Sequence, residues 1–170
     1  APDDMTPGCL VLHGIDFTDP AAAARAMDQA AERGGIDALL NIAGGFAWQT
    51  VAEGDVSGWE RMFALNLKTA FNASKAALPH LVMRNGAIVN VGANAALKAG
   101  AGMGAYTASK ASVHKLTESM AEELKGKVRV NAVLPSVLDT PQNRKDMPDT
   151  DPAIWVKPEE LVEVMLFLAS

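Results

Sequence analysis

The chain has 170 residues, 49% of them apolar, and a formal net charge of −5. This length and composition suit one globular α/β domain with a real core and exclude a disordered chain. The acidic balance gives no basic field for nucleic acid, no apolar run approaches the ~18 residues of a membrane span, and a single cysteine, Cys9, excludes an intrachain disulfide and a cysteine metal cluster.

Residues 1–5, Ala-Pro-Asp-Asp-Met, do not read as a signal peptide, so a cytoplasmic protein is expected. Residues 9–13, Cys-Leu-Val-Leu-His, read as a short buried strand. Thr18 or Asp19 caps the next helix, with Pro20 in its first turn, and that helix stops near Gly34-Gly35. Residues 36–42 form an almost continuously apolar strand, as in a parallel sheet covered on both faces. Ser57-Gly-Trp-Glu60 has the pattern of a capping box. A following helix carries Asn66 and is expected to stop near Pro79. Residues 87–91 are another buried strand, and a small-residue loop runs from Gly92 to Gly104. The helix of Tyr106 extends to about Leu124, and 128–134 form a further strand. Residues 135–157, rich in proline and charge, read as a mobile loop, and Pro158-Glu-Glu starts a last helix to Ala169. Alternating strands and helices predict a doubly wound parallel sheet.

Tyr106-Thr-Ala-Ser-Lys110 places a phenol and an ammonium on one helix face. An ammonium nearby favours the phenolate and is expected to lower the tyrosine pKa from about 10, giving a tuned acid/base. A surface Tyr–Lys pair is the commoner meaning of this spacing, so its surroundings matter.

Those surroundings are Asn41-Ile-Ala-Gly-Gly45, Asn66 in Ala-Leu-Asn-Leu, Gly86-Ala-Ile-Val-Asn-Val91, Val128-Arg-Val-Asn-Ala-Val-Leu-Pro135 and Thr140. In this order they resemble the short-chain dehydrogenase/reductase family, over roughly residues 9–169. The resemblance implies an oxidoreductase with a Rossmann-type fold, a small-molecule substrate and NAD or NADP as cofactor. It also implies a homodimer or homotetramer, with Ala73, Ala76, Ala77, Ala108 and Ala111 as small outer residues of the pairing helices.

No G-x-x-x-G-x-G or G-x-G-x-x-G segment is present; Gly100-Ala-Gly-Met-Gly104 belongs to the loop before Tyr106. By resemblance, residues 1–170 form a single Rossmann-type domain, incomplete at both ends, that lacks the family's first two strands and its last. In a 3-2-1-4-5-6 sheet this leaves Val11 without a neighbour and the strand at 36–42 with a bare edge. The expectation is a longer protein; an intact mass matching these 170 residues alone would contradict it.

The resemblance assigns proton donation to Tyr106, tuning to Lys110 and a water relay to Asn66. The family's serine position is Ala93 here. A methyl donates no hydrogen bond, and losing one donor to a developing oxyanion can cost about 3 kcal/mol. Asn94 is either a substitute donor or a turn residue. The segments Gly92-Ala-Asn-Ala-Ala-Leu and 134–148, followed by Trp155, resemble dihydropteridine reductases, which also lack the serine. Reduction of a quinonoid pterin is therefore the alternative to a carbonyl/alcohol reaction, and a non-catalytic nucleotide-binding or scaffold protein is the alternative of another class.

For the cofactor, resemblance assigns Asp16 to the adenine end, and Asn41, Ala43 and Gly44 to its ribose. Tyr106 and Lys110 go to the nicotinamide ribose, and Pro135, Leu138 and Thr140 to the carboxamide, with Ser136 in place of the family's usual glycine. Ala93, Asn94 and Trp155 line the substrate. His13, His80 and His114 are too scattered to suggest a metal, and no metal is expected. His114 reads as a solvated helix residue, and Trp48 and Trp59 as packing residues.

Overall fold

A computed structural model describes residues 8–170. The reading of residues 1–5 against a signal peptide lies outside the described residues.

Three parallel strands form the sheet in the order β1 (Ala38–Asn41), β2 (Ala87–Val91), β3 (Arg129–Val133), with Leu40 opposite Val89 and Asn90 opposite Ala132. Both faces are covered by helices. Side chains alternate across a strand. Ile88 and Val130 therefore pack with Met27, Ala73, Ala77, Leu81 and Met120 on one face. Val89 and Val133 pack with Met165, Leu161 and Leu168 on the other. The first face is closed by α1 (Pro20–Ala31), α3 (Thr69–Arg84) and α4 (Gly104–Glu123), the second by α6 (Pro158–Ala169). This is the doubly wound α/β architecture expected from the alternation of elements.

Helix α1 starts as predicted. Asp19 accepts from the Ala21 amide at 2.9 Å and Pro20 occupies the first turn. Residues 9–13 do not form the expected buried strand; Leu10 and Val11 are 41% and 38% exposed. A strand exists only through hydrogen bonds to a neighbour, and no strand lies beside them among the described residues.

Helix α2 (Val56–Phe63) is capped two residues before the predicted cap, Ser57. Asp55 is the cap, accepting from the Gly58 amide at 2.8 Å, and the Ser57 hydroxyl donates to the same carboxylate. A carboxylate complements the helix N-terminus better than a hydroxyl does. The helix then continues through one π-helical turn, Ala64–Lys68, into α3.

Pro79 does not end α3, which runs to Arg84. Proline forfeits one backbone bond, but the last turn is held by the fully buried Leu81, by left-handed Asn85 (φ 50°) and by the Gly86 amide closing on the Leu81 carbonyl at 2.9 Å. Ala73 and Ala77 were expected on the outer face; they are 5% and 0% exposed and belong to the core, in register with Leu81 at helical spacing.

Residues 135–157 are more ordered than a plain loop. Thr140 caps a short helix α5 (Pro141–Asp146), Arg144 pairs with Asp139 at 2.6 Å, and Leu138 bridges Val156. The signal was present in Asp139-Thr-Pro141, a cap followed by proline at the first helical position. No helix among the described residues is long and apolar enough to cross a membrane.

A buried polar chain ties the layers together. Asn41 donates to Asn90 at 2.8 Å and to Ser74 at 2.9 Å; Asn90, 0% exposed, donates to Thr117 at 2.9 Å. Sheet, α3 and α4 thus share one hydrogen-bonded network, which fixes where α4 sits.

Candidate active site

Because the strands are parallel, their carboxyl ends open on one side, where Asn41, Val91 and Val133 lead into loops. Crevices at these ends are where ligands bind in open α/β sheets. Helix α4 lies against them and carries Tyr106, Ser109, Lys110 and His114.

Lys110 is 6% exposed, and its ammonium donates to the Val91 carbonyl at 2.8 Å. Burial pulls its pKa from 10.5 to about 8. Tyr106 is half-buried, with the Phe46 ring edge-on to it at 5.0 Å between centroids. Burial pushes the phenol above its ordinary 10. The lowering expected from Lys110 is thus not the direction found. Removal from water dominates, and the ammonium is engaged by Val91.

Asn66 is 1% exposed and sits in the π-helical turn. Such turns recur at functional sites. Its Oδ1 accepts from the Gly45 amide at 2.9 Å; its Nδ2 donates to the Gly45 carbonyl at 3.1 Å and to the Ser109 hydroxyl at 2.9 Å. Ser109 in turn donates to the Tyr106 carbonyl at 2.7 Å. The amide donors of Asn66 are therefore engaged in clamping the loop after β1 to the helix of Tyr106.

Gly44 completes the clamp by having no side chain. A Cβ there would lie 2.7 Å from Asn66 Oδ1 and 3.3 Å from Lys110 Nζ. This brings Gly44, Asn66 and Lys110 into one small space. Ile42, Ala43 and Gly44 are exposed at the crevice, whereas the Asn41 amide is turned inward to Ser74 and Asn90.

Ala93 is 4% exposed; its amide donates to His114 Nε2 at 3.2 Å. Asn94 is exposed, with its amide on the Pro135 carbonyl at 3.0 Å. The loops after β2 and β3 are therefore tied together. Leu138 accepts from the Asn143 side chain at 2.8 Å, and Thr140 serves as the α5 cap. Trp155 is 7% exposed and packed within the protein. Asp16 is exposed and accepts from both the amide and the hydroxyl of Thr18, which hold its carboxyl below the ordinary range. Trp48 is 60% exposed, with its indole N–H on the Ala101 carbonyl at 3.1 Å.

Three contributors escaped the sequence. Ser109 lies inside the Tyr–Lys motif and had only its position as a signal. Phe46 follows the Gly44-Gly45 turn with nothing to mark its contact with Tyr106. His114, expected in solvent, is half-buried against Ala93.

Comparison with known proteins gives the family. The short chain dehydrogenase family model matches residues 8–151. The chain is 37% identical to meso-2,3-butanediol dehydrogenase of Serratia marcescens, over 95% of this chain and 68% of that protein. It is 39% identical to inactive 2-(S)-hydroxypropyl-CoM dehydrogenase 2 of Xanthobacter autotrophicus, over 92% and 76%. Among solved structures, ligand-free aldohexose dehydrogenase of Thermoplasma acidophilum superposes with a TM-score of 0.84 at 30% identity, over 91% of this chain and 69% of that one. On the match over 8–151 and these relatives, the chain belongs to the short-chain dehydrogenase family of NAD(P)-dependent oxidoreductases.

Proposed function

We propose that the protein transfers hydride between a nicotinamide cofactor and a carbonyl/alcohol pair of a small molecule, with Tyr106 as the proton donor in reduction. The observation that supports this reading is that Asn66 and Lys110 meet beside Gly44, while Ser109 links Asn66 to the main chain of Tyr106 one turn before Lys110. A phenol pushed above 10 stays protonated at neutral pH, as a proton donor to a developing alkoxide must. Lys110, mostly protonated at pH 7, supplies positive charge to the phenolate left behind.

When bound, NAD(P)H supplies the hydride. The residues described fit its nicotinamide-ribose half. The exposed, side-chain-free approach at Gly44 and the Lys110 ammonium are the groups that would hold the ribose. Pro135, Leu138 and Thr140 would meet the carboxamide, and Asp16 the adenine end. Asn94 is the side-chain donor nearest in sequence to Ala93 and would take the place of the serine. Trp155 would close the substrate side from within its loop. The subunits would pair as a homodimer or homotetramer in the cytoplasm.

Oxidation of NADH and NADPH by the full-length protein tests this reading, with small ketones, diketones and quinonoid dihydropterin as acceptors. Ketone turnover supports the carbonyl reaction; turnover of the pterin alone replaces it with the dihydropteridine reaction. A non-catalytic reading has its own support in Ala93, which removes a hydrogen-bond donor, and in the relative whose name carries the word inactive. Cofactor binding without turnover of any acceptor would install that reading.

A further inference from the structure

Helix α4 grips the segment leaving β2 at two points one turn apart. Lys110 donates to the Val91 carbonyl at 2.8 Å, and His114 Nε2 accepts from the Ala93 amide at 3.2 Å. The neighbouring amides are bound by backbone, Gly92 to Val133 at 2.9 Å and Asn94 to Pro135 at 3.0 Å. The tie from Ala93 to His114 is thus the one side-chain bond in a run of three amides. Gly92 is shaped for it: a Cβ there would lie 2.3 Å from His114 Nε2 and 2.6 Å from Cδ2. Only glycine admits the ring.

We propose that His114 is a positioning residue, whose neutral imidazole holds the Ala93–Asn94 loop in register with Tyr106, and that acid loosens this loop by removing the acceptor. Nε2 accepts a hydrogen bond only when it carries no proton. Protonation turns it into a second donor facing the Ala93 amide, in a loop where Ala93 is 4% exposed. The charged groups acting on the ring are Lys110, Lys115 and Glu118, all on α4. The facing segments, 91–97 and 130–138, carry no titratable side chain. Burial, then Lys110, holds His114 below its ordinary 6.5. The folded protein therefore resists taking the proton that the unfolded chain accepts, and the tie is intact at neutral pH and lost as pH falls below about 6.5. The catalytic consequence rests on the Tyr106 reading; the hydrogen bond does not.

The test uses isotope-labelled full-length protein, titrated from about pH 8 to pH 5 by NMR. At pH 7 the His114 ring should be protonated on Nδ1 only, and the Ala93 amide should titrate with the ring at a midpoint below 6.5. In parallel, kcat/KM should show an acid limb at that midpoint. His114→Gln, whose side-chain oxygen still accepts, should keep most of the turnover and lose the limb. His114→Leu should lower kcat at pH 7 by about tenfold or more, with KM for the cofactor within about twofold. A ring protonated on Nε2 at pH 7, an Ala93 amide unmoved by the titration, or wild-type kcat in His114→Leu would each overturn the proposal. If His114→Leu does not fold, the wild-type titration and His114→Gln decide. If no acceptor is turned over by any variant, the Tyr106 reading fails, and the titration alone decides the tie.

Discussion

The ammonium of Lys110 donates to the carbonyl of Val91 at 2.8 Å and so fastens the helix of Tyr106 to the end of the central strand. A lysine kept 6% exposed is held there by a backbone acceptor rather than by a carboxylate. No carboxylate among the described residues pairs with it, and burial takes its pKa down to about 8.

That fall has a stability consequence with a definite sign. The folded pKa lies below the unfolded value of 10.5, so between about 8 and 10.5 the unfolded chain binds the proton that the folded protein has released. Below this window the buried charge costs stability, by about 3 kcal/mol at most. Replacing it in Lys110→Met leaves the Val91 carbonyl without its donor, a loss of about 1 kcal/mol. Urea unfolding at pH 7 should show Lys110→Met more stable by about 2 kcal/mol; the advantage should vanish at about pH 9.5 and reverse to about 1 kcal/mol in favour of wild type above about pH 10.5, where the neutral amine still donates to Val91. A less stable Lys110→Met at pH 7 would contradict the account.

Gly44→Ala tests the packing around Asn66. The new methyl meets Asn66 Oδ1 at 2.7 Å, so the clamp on Gly45 must open. Cofactor affinity should drop by about tenfold, roughly 1.4 kcal/mol, and the unfolding free energy should fall by about 1–3 kcal/mol, because the buried Asn66 loses its bonds to Gly45. Calorimetric titration with NADH and NADPH checks it.

Asn90→Ala tests the polar chain across the sheet. Asn90 is 0% exposed and bonds Asn41 and Thr117. Truncation removes both bonds and leaves a cavity, at a cost of about 2–4 kcal/mol. Denaturant unfolding should show that loss. A change below about 1 kcal/mol would mean that the network does not hold α4 in place.

The elements with a local signature were legible in the sequence. β2 matched residues 87–91, and α6 matched Pro158 to Ala169, because apolar runs and proline starts are written in adjacent residues. The strand at 9–13 failed because a strand depends on a neighbour that local pattern does not report. Pro79 misled because the burial of Leu81, two residues on, is a tertiary fact. At the site, the sequence pointed to Tyr106, Lys110 and Asn66 as a group. It did not show that burial would raise the phenol, that Asn66 would clamp Gly45, or that His114 would hold Ala93. Each of these depends on what stands opposite in space.

The most direct test of the central claim is Tyr106→Phe in the full-length protein, with cofactor binding and turnover measured on the same sample. The account predicts cofactor affinity within about threefold of wild type and turnover reduced at least a thousandfold, about 4 kcal/mol, since only the proton donor is lost. A variant that keeps more than about a tenth of wild-type turnover, a difference of ~1.4 kcal/mol, would show that Tyr106 is not the proton donor.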